Sequence, residues 1–310
     1  IHSDLKNSIS MNRLLQGDVG SGKTIVSILV SALAVGNSTQ VAIMAPTEIL
    51  ATQHYHSFKT ELGRANIPCV LLLGNMKKSE RIPILDGLEN GKIPVVIGTH
   101  ALIQDDVIFK NLGLVIVDEQ HRFGVNQRAK LIEKGINPHF LAMTATPIPR
   151  TLSITYHGDM DVSIIDEMPA NRIPVVTKVV EPARLGKVYK FIKEEVAAGR
   201  QCMVIYPLVE ESEKSDLAAA VDAHQELDEK FFPDLCVGLV HGRMKTDEKD
   251  DMMEKFSKNE INILVSTTVV EVGVDIPNAT VMVVEHAERF GLTQLHQLRG
   301  RVGRGAEKSY

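Results

Sequence analysis

Cysteine is scarce, basic charge is not in excess, and no apolar run is long. The three cysteines, Cys69, Cys202 and Cys236, stand far apart inside apolar runs with no paired spacing. That excludes a disulfide framework and a thiolate zinc site, and the three read as buried thiols of a reducing, cytoplasmic compartment. No stretch approaches the ~18 consecutive apolar residues of a membrane span. The opening IHSDLKNSIS lacks the charged and apolar regions of a signal peptide. Neither export nor membrane anchoring is expected. Formal net charge is −5, and the deficit is shared: residues 1–168 hold 15 basic against 16 acidic side chains, and residues 169–310 hold 19 against 23. Neither half is a basic domain. A nucleic acid would have to be held by local clusters, backbone amides and hydroxyls rather than by bulk charge.

A chain of 310 residues, 44% hydrophobic and 24% charged, predicts about two globular domains of ~150 residues, each with a real core. Short Val/Ile/Leu runs recur with helix-like segments between them, as in a parallel sheet buried on both faces. In the first part they are RLLQ (13–16), VAIMA (41–45), CVLLL (69–73), PVVIG (94–98), LVIVD (114–118) and FLAMT (140–144). After MPANRIP (168–174) the rhythm restarts with VVTKVV (175–180), CMVIY (202–206), CVGLV (236–240), NILVS (262–266) and VMVVE (281–285). The reading is two α/β lobes, residues 1–168 and 169–310, each with its own sheet. One helix is explicit: in 183–199, Leu185, Val188, Phe191, Ile192 and Val196 share a face and a glycine ends the run. EESEKSD (210–216) reads as a solvated face or loop.

GDVGSGKT, Gly17 to Thr24, fits G-x-x-x-x-G-K-[ST] between an apolar strand and an apolar helix. Gly17, Asp18, Val19, Gly20, Ser21 and Gly22 would wrap a phosphate chain with backbone amides at a helix N-terminus. Lys23 would reach the β- and γ-phosphates of ATP, and Thr24 would hold Mg²⁺. LVIVDEQH supplies the carboxylates that hydrolysis needs at a strand end: Asp118 to orient the Mg²⁺ shell and Glu119 as general base. His121 stands two residues after Glu119, a placement that suggests a sensor between nucleotide and polymer. His54 and His56 in ATQHYHSF have no partner at metal spacing and read as surface or core-edge histidines.

With GDVGSGKT, DEQH, TATP (144–147), TTVVEVGVD (267–275) and QLRGRVGRG (297–305) in order, the chain resembles the superfamily 2 helicases across both lobes. DEQHRFGVNQR, MTATPIPRTL, GDMDVSIIDEMP, PLVEESEK, HGRMK and ERFGLTQLHQLRGRVGRG are similar to the RecG family of bacterial branched-DNA helicases. Transcription-repair coupling translocases share HRFGV and TATPIPRTL and are the nearest alternative. A polypeptide-translocating motor ATPase is the alternative from another class.

The resemblance implies two RecA-like lobes with ATP in the cleft between them, and a motor acting on duplex or branched DNA in repair and recombination. It implies that Gln120, His121, Thr144, Thr146, Gly273, Asp275 and Gln297 couple nucleotide state to lobe movement. DNA contacts would come from Thr47, Glu48, Thr99, His100, Arg243, Thr267 and Thr268. Arg301 and Arg304 would stabilise the transferring phosphoryl group, and, three apart, they would share one face if that segment is helical. Three of the family's features have no counterpart in these 310 residues: the adenine-reading glutamine segment, the N-terminal wedge domain and the C-terminal hairpin. A monomer is expected.

Overall fold

The computed structural model describes residues 1–310 except 8, 146–159, 168–172, 208–212, 268–275, 277 and 304–306; within helices, only the backbone of 121, 213–219, 246, 247, 250 and 293 is described. The chain divides into two compact units, Ile1–Met168 and Pro169–Tyr310.

In the first unit, strands β1 (Asn12–Gly17), β2 (Gln40–Met44), β3 (Cys69–Leu72), β4 (Val95–Gly98), β5 (Leu112–Val117), β6 (His139–Thr144) and β7 (Asp161–Ile165) form one sheet in the order β3-β4-β2-β5-β6-β1-β7. Every pairing is parallel. Helices α1 (Lys23–Gly36), α2 (Glu48–Gly63), α3 (Lys78–Glu89) and α4 (Val125–Ile132) connect the strands. The central strands are buried on both faces, as their unbroken apolar runs require, with Leu14, Met44, Leu72, Val96, Val115, Val117 and Ala142 in one core cluster. Parallel pairing brings all the strands' C-terminal ends to one edge, where sites in such sheets lie.

The second unit holds β8 (Gln201–Tyr206), β9 (Val237–Val240), β10 (Ile263–Thr267) and β11 (Ala279–Val284), paired in parallel in the order β11-β8-β10-β9. Helices α5 (Leu185–Ala197), α6 (Glu213–Glu226), α7 (Thr246–Ser257) and α8 (Leu292–Arg299) accompany them. The Glu213 end of EESEKSD begins α6.

Three expectations change. VVTKVV is not a strand: residues 173–180 lie outside the sheet, Val179 is exposed, and among the described residues this run has a backbone bond from Val176 N–H to Ser309 O. Its β-branched alternation fits a pleated surface, but the sheet's other strands already pair without it. Conversely, Asp161–Ile165 adds a strand, β7, beside β1. Only Cys202 is buried; Cys236 is exposed and Cys69 half-buried, because each sits at the start of an edge strand, β9 or β3.

The strand order β9-β10-β8-β11 repeats β3-β4-β2-β5, and the repetition reaches single hydrogen bonds. Gln40 Nε2 donates to Leu88 O and Ile93 O, both at 2.9 Å, while Gln201 Nε2 donates to Phe256 O at 2.6 Å and Ile261 O at 2.8 Å. Leu73 N–H points at Met76 Sδ at 3.3 Å, and His241 N–H at Met244 Sδ at 3.4 Å. After β5, Glu119 is left-handed (φ 47°), a 3₁₀ turn follows, and Gly124 caps α4 with its N–H on Gln127 Oε1. After β11, His286 is left-handed (φ 51°), a 3₁₀ turn follows, and Gly291 caps α8 with its N–H on Gln294 Oε1.

Candidate nucleotide and nucleic-acid site

The Gly17–Thr24 segment leaves β1 and enters α1 as a tight loop. Gly20 (φ 79°) and Gly22 (φ 102°) take left-handed conformations that favour glycine. A Cβ on Gly17 would lie 2.5 Å from Ser21 Oγ and 3.1 Å from Ile165 Cβ, so a side chain there would displace Ser21. Ser21 N–H donates to Asp18 O (3.1 Å) and Val19 N–H to Asp18 Oδ1 (2.7 Å). Lys23 Nζ turns back into the loop and donates to Gly17 O at 2.8 Å and Asp18 O at 2.9 Å. Thr24 stands half-buried in the first turn of α1.

Asp118 follows β5, two strands from β1 in the sheet, and its N–H donates to Met44 O at 2.9 Å. Asp118 is 7% exposed. Oδ2 accepts from His54 Nε2 at 2.7 Å, and Oδ1 accepts from Glu119 N–H at 3.0 Å. Burial pushes its pKa up, yet the hydrogen bond and charge of His54, the charge of Lys23 and the Glu119 amide outweigh burial and hold the group below the usual carboxylate range. Asp118 is therefore an anion facing the cation of the phosphate loop.

Glu119 is half-buried in its left-handed turn. Gln120 is buried and accepts from Arg128 Nη1 at 3.0 Å. Thr144 is buried at the end of β6, the strand between β5 and β1. Thr47 caps α2, with Leu50 N–H on its Oγ1 at 3.4 Å, and Glu48 accepts from Asn75 Nδ2 at 3.2 Å. Thr99 is buried at the end of β4, and His100 beside it is exposed.

In the second unit Thr267 is buried at the end of β10, Arg243 is exposed after β9, and Gln297 is buried in α8. His241 is held below its usual pKa first by burial and then by the positive charges of Lys249 and Arg243, with Glu248 opposing them. Arg301 is 7% exposed and Arg299 exposed. Helix α8 ends at Arg299, with Gly300 as its C-cap and Gly303 at φ 75°. Arg301 therefore lies beyond the helix, and the shared helical face expected for Arg301 and Arg304 does not exist on its side. Thr146, Thr268, Gly273, Asp275 and Arg304, and the side chain of His121, lie outside the described residues.

Among the described residues, Ser21 Oγ, Thr99 Oγ1, His241 Nδ1 and Thr267 Oγ1 are buried without a hydrogen-bond partner. All four lie at or past C-terminal strand ends, Ser21 and Thr99 in the first unit and His241 and Thr267 in the second. His54 was invisible as a site residue in the sequence. Its partner, Asp118, is far along the chain, and only the packing of α2 beside the end of β5 joins them. The one available signal was its place in the helix that begins at Glu48.

Among the described residues no cluster of three or more His, Cys, Asp or Glu is arranged to hold a metal. None of their helices is long and apolar enough to cross a membrane. A family profile described as DEAD/DEAH box helicase matches residues 4–154, and one described as Helicase conserved C-terminal domain matches residues 183–306. The chain is 54% identical over 310 residues to the ATP-dependent DNA helicase RecG of Synechocystis sp., covering all of this chain and 37% of that protein. It is also 54% identical to the RecG protein of Streptococcus pneumoniae, covering 46% of it. A solved structure of RecG bound to a three-way DNA junction superposes with a TM-score of 0.83 at 48% identity, over 99% of this chain and 40% of that one. Dbp5 of S. cerevisiae, at 16% identity and a TM-score of 0.71, has the same fold. The chain thus spans less than half the length of these RecG relatives, and over its two helicase lobes it belongs to the RecG family.

Proposed function

We propose that this chain is the ATP-hydrolysing motor of a DNA helicase that acts on branched DNA in repair and recombination. The observation that carries the reading is the pairing of a closed phosphate loop with a buried, anionic Asp118 at one sheet edge. The identity to RecG proteins, one of them described on a three-way junction, supports the substrate. Gly17, Asp18, Val19, Gly20, Ser21 and Gly22 cradle the phosphates of ATP. A phosphate oxygen competes with Gly17 O and Asp18 O for the Lys23 ammonium.

The residues fit Mg²⁺. Asp118 and the Thr24 hydroxyl are hard oxygen donors of the kind this ion takes alongside phosphate and water, and Ser21 Oγ is left unsatisfied in the same loop. Thr24 and Asp118 would hold it, and when bound it neutralises charge on the β- and γ-phosphate oxygens. Glu119 takes the proton of the attacking water. Arg301 and Arg304 offset charge on the transferring group. Gln120, His121, Thr144, Thr146, Gly273, Asp275 and Gln297 relay nucleotide state.

Thr47, Glu48, Thr99, His100, Arg243, Thr267 and Thr268 form the DNA-contacting set. The buried hydroxyls of Thr99 and Thr267 take part only where the backbone around them opens, whereas exposed His100 and Arg243 reach a phosphate directly. One chain carries both lobes, so we assign it as a monomer, in the cytoplasm where DNA and ATP meet.

ATP turnover measured alone, with duplex and with forked DNA is expected to rise on DNA, most on the fork. ATP bound but hydrolysed in none of the three conditions would overturn the reading. A filter-binding salt series is expected to give a steep loss of DNA affinity; a flat response would favour a polypeptide-translocating motor.

A further inference from the structure

Asp118 receives a donor from outside its own strand end, and that donor belongs to the helix that begins the DNA-contacting segment. His54 is 7% exposed, and its neighbour on α2 at the next turn, Phe58, is fully buried. The two rings meet edge-on, with centroids 6.4 Å apart. The imidazole is thus fixed from one side by packing, while Nε2 donates to Asp118 Oδ2 at 2.7 Å. The Glu119 amide holds the other oxygen at 3.0 Å. The terminal torsion of a carboxylate is broad and two-fold, and it is narrowed most where both oxygens are engaged. Here both are, and each oxygen keeps a lone pair for another contact.

We propose that His54 is a positioning residue that fixes the Asp118 carboxylate for the Mg²⁺ shell of the bound nucleotide, and that helix α2 thereby connects this shell to the Thr47–Glu48 end of the same helix. The inference rests on the reading of Asp118 as the metal-orienting carboxylate. Imidazole is not itself a ligand in this arrangement. Its Nε2–H is spent on Asp118, as donors to metal-binding carboxylates generally are, and loss of such a partner costs about 10–100-fold in metal affinity or activity.

The test compares wild type with His54→Leu, which fills the space without a donor, His54→Gln, which keeps an amide donor, and Asp118→Asn. Affinity for a fluorescent mant-ADP is titrated against Mg²⁺, with thermal melting of each variant in parallel. His54→Leu is expected to need about 10–100-fold more Mg²⁺ to reach the same nucleotide affinity, with Mg²⁺-free affinity unchanged, and His54→Gln is expected to recover most of the loss. A purely structural histidine would lower melting temperature and Mg²⁺-free binding together, which would overturn the proposal. A wild-type Mg²⁺ titration in His54→Leu, or equal loss in the leucine and glutamine variants, would also overturn it. If Asp118→Asn keeps the wild-type Mg²⁺ dependence, the assignment of Asp118 itself falls, and the role of His54 with it.

Discussion

The two lobes share a backbone and divide the chemistry. Strands β3-β4-β2-β5 and β9-β10-β8-β11 have the same order, and glutamine clamps, methionine contacts and left-handed turns recur at matching places. The side chains at the strand ends differ. Where the first lobe has Asp118 and Glu119 after β5, the second has Glu285 and His286 after β11. Asp118 is held anionic beside His54 and Lys23, whereas burial pushes the Glu285 carboxyl upward and His286 offsets this only in part. The first lobe also adds β6, β1 and β7, and β1 carries the phosphate loop.

Left-handed backbone at a non-glycine residue costs about 1–2 kcal/mol and often marks a functional site. Glu119 and His286 share it, so here the strain belongs to the repeated strand-to-helix turn. The distinction proposed for catalysis lies in which side chain is mounted there.

The largest expected break in this division of labour is at the arginines. Arg304→Ala is expected to lower ATP turnover by about 10³–10⁵-fold with ATP binding retained, whereas Lys23→Ala loses both. Arg299→Ala, on an exposed residue at the end of α8, is expected to be milder. Turnover kinetics alongside mant-nucleotide binding separate the cases, and normal hydrolysis by Arg304→Ala would mean that the group is not Arg304 and lies elsewhere.

Next in size are the clamps. Gln40→Leu and Gln201→Leu each remove a donor from two carbonyls; Leu88 O and Phe256 O keep backbone N–H partners, which leaves Ile93 O and Ile261 O stranded, at about 1–3 kcal/mol per buried group, so each is expected to destabilise its own lobe by about 2 kcal/mol. Chemical denaturation followed by a probe in each lobe would measure this. A large effect in one lobe and none in the other would show that the repetition is geometric only.

The smallest effect sharpens a difference outside the site. Between α1 and β2 the first lobe has Thr39 N–H and Oγ1 on Ala34 O; between α5 and β8 the second has Arg200 N–H on Glu195 O and, in addition, an ion pair. Arg200 grips both Glu195 oxygens, at 2.6 and 2.8 Å, and Thr280 adds a third donor at 3.1 Å. The Arg200 hydrogen bond, then Thr280 and the Arg200 charge, hold the Glu195 pKa below its usual value of 4.5 against the opposing effect of burial. A depressed carboxylate stabilises the fold above its unfolded-state pKa and loses that stabilisation as pH falls through the folded value. Glu195→Gln is therefore expected to cost about 1–2 kcal/mol at neutral pH, and the gap should close as pH drops below about 4.5. Melting temperature against pH for both proteins would test it; a constant gap would remove the ion pair as its cause.

Much of the fold was legible because buried parallel strands must be apolar on both faces, and ten of the eleven strands among the described residues coincide with apolar runs in the sequence. VVTKVV misled because β-branched composition reports fitness for a pleated surface and not the presence of a neighbour. QLRGRVGRG misled in its geometry: the helix precedes the glycines and stops at Arg299, since Gly300 and Gly303 end it. The lobe repetition went unseen because it is carried by scattered pairs such as Gln40 with Gln201 and Met76 with Met244, among residues that otherwise differ.

The sequence by itself determined the phosphate loop, the acidic strand end and the two-sheet plan, because each is a local pattern whose chemistry depends on near neighbours in the chain. Only the tertiary structure decided that His54 serves Asp118, that Thr99 and Thr267 lie beneath the surface, and that Arg301 stands beyond its helix. Those facts depend on which elements pack side by side, and a hydrogen bond across 64 residues leaves no periodicity to read.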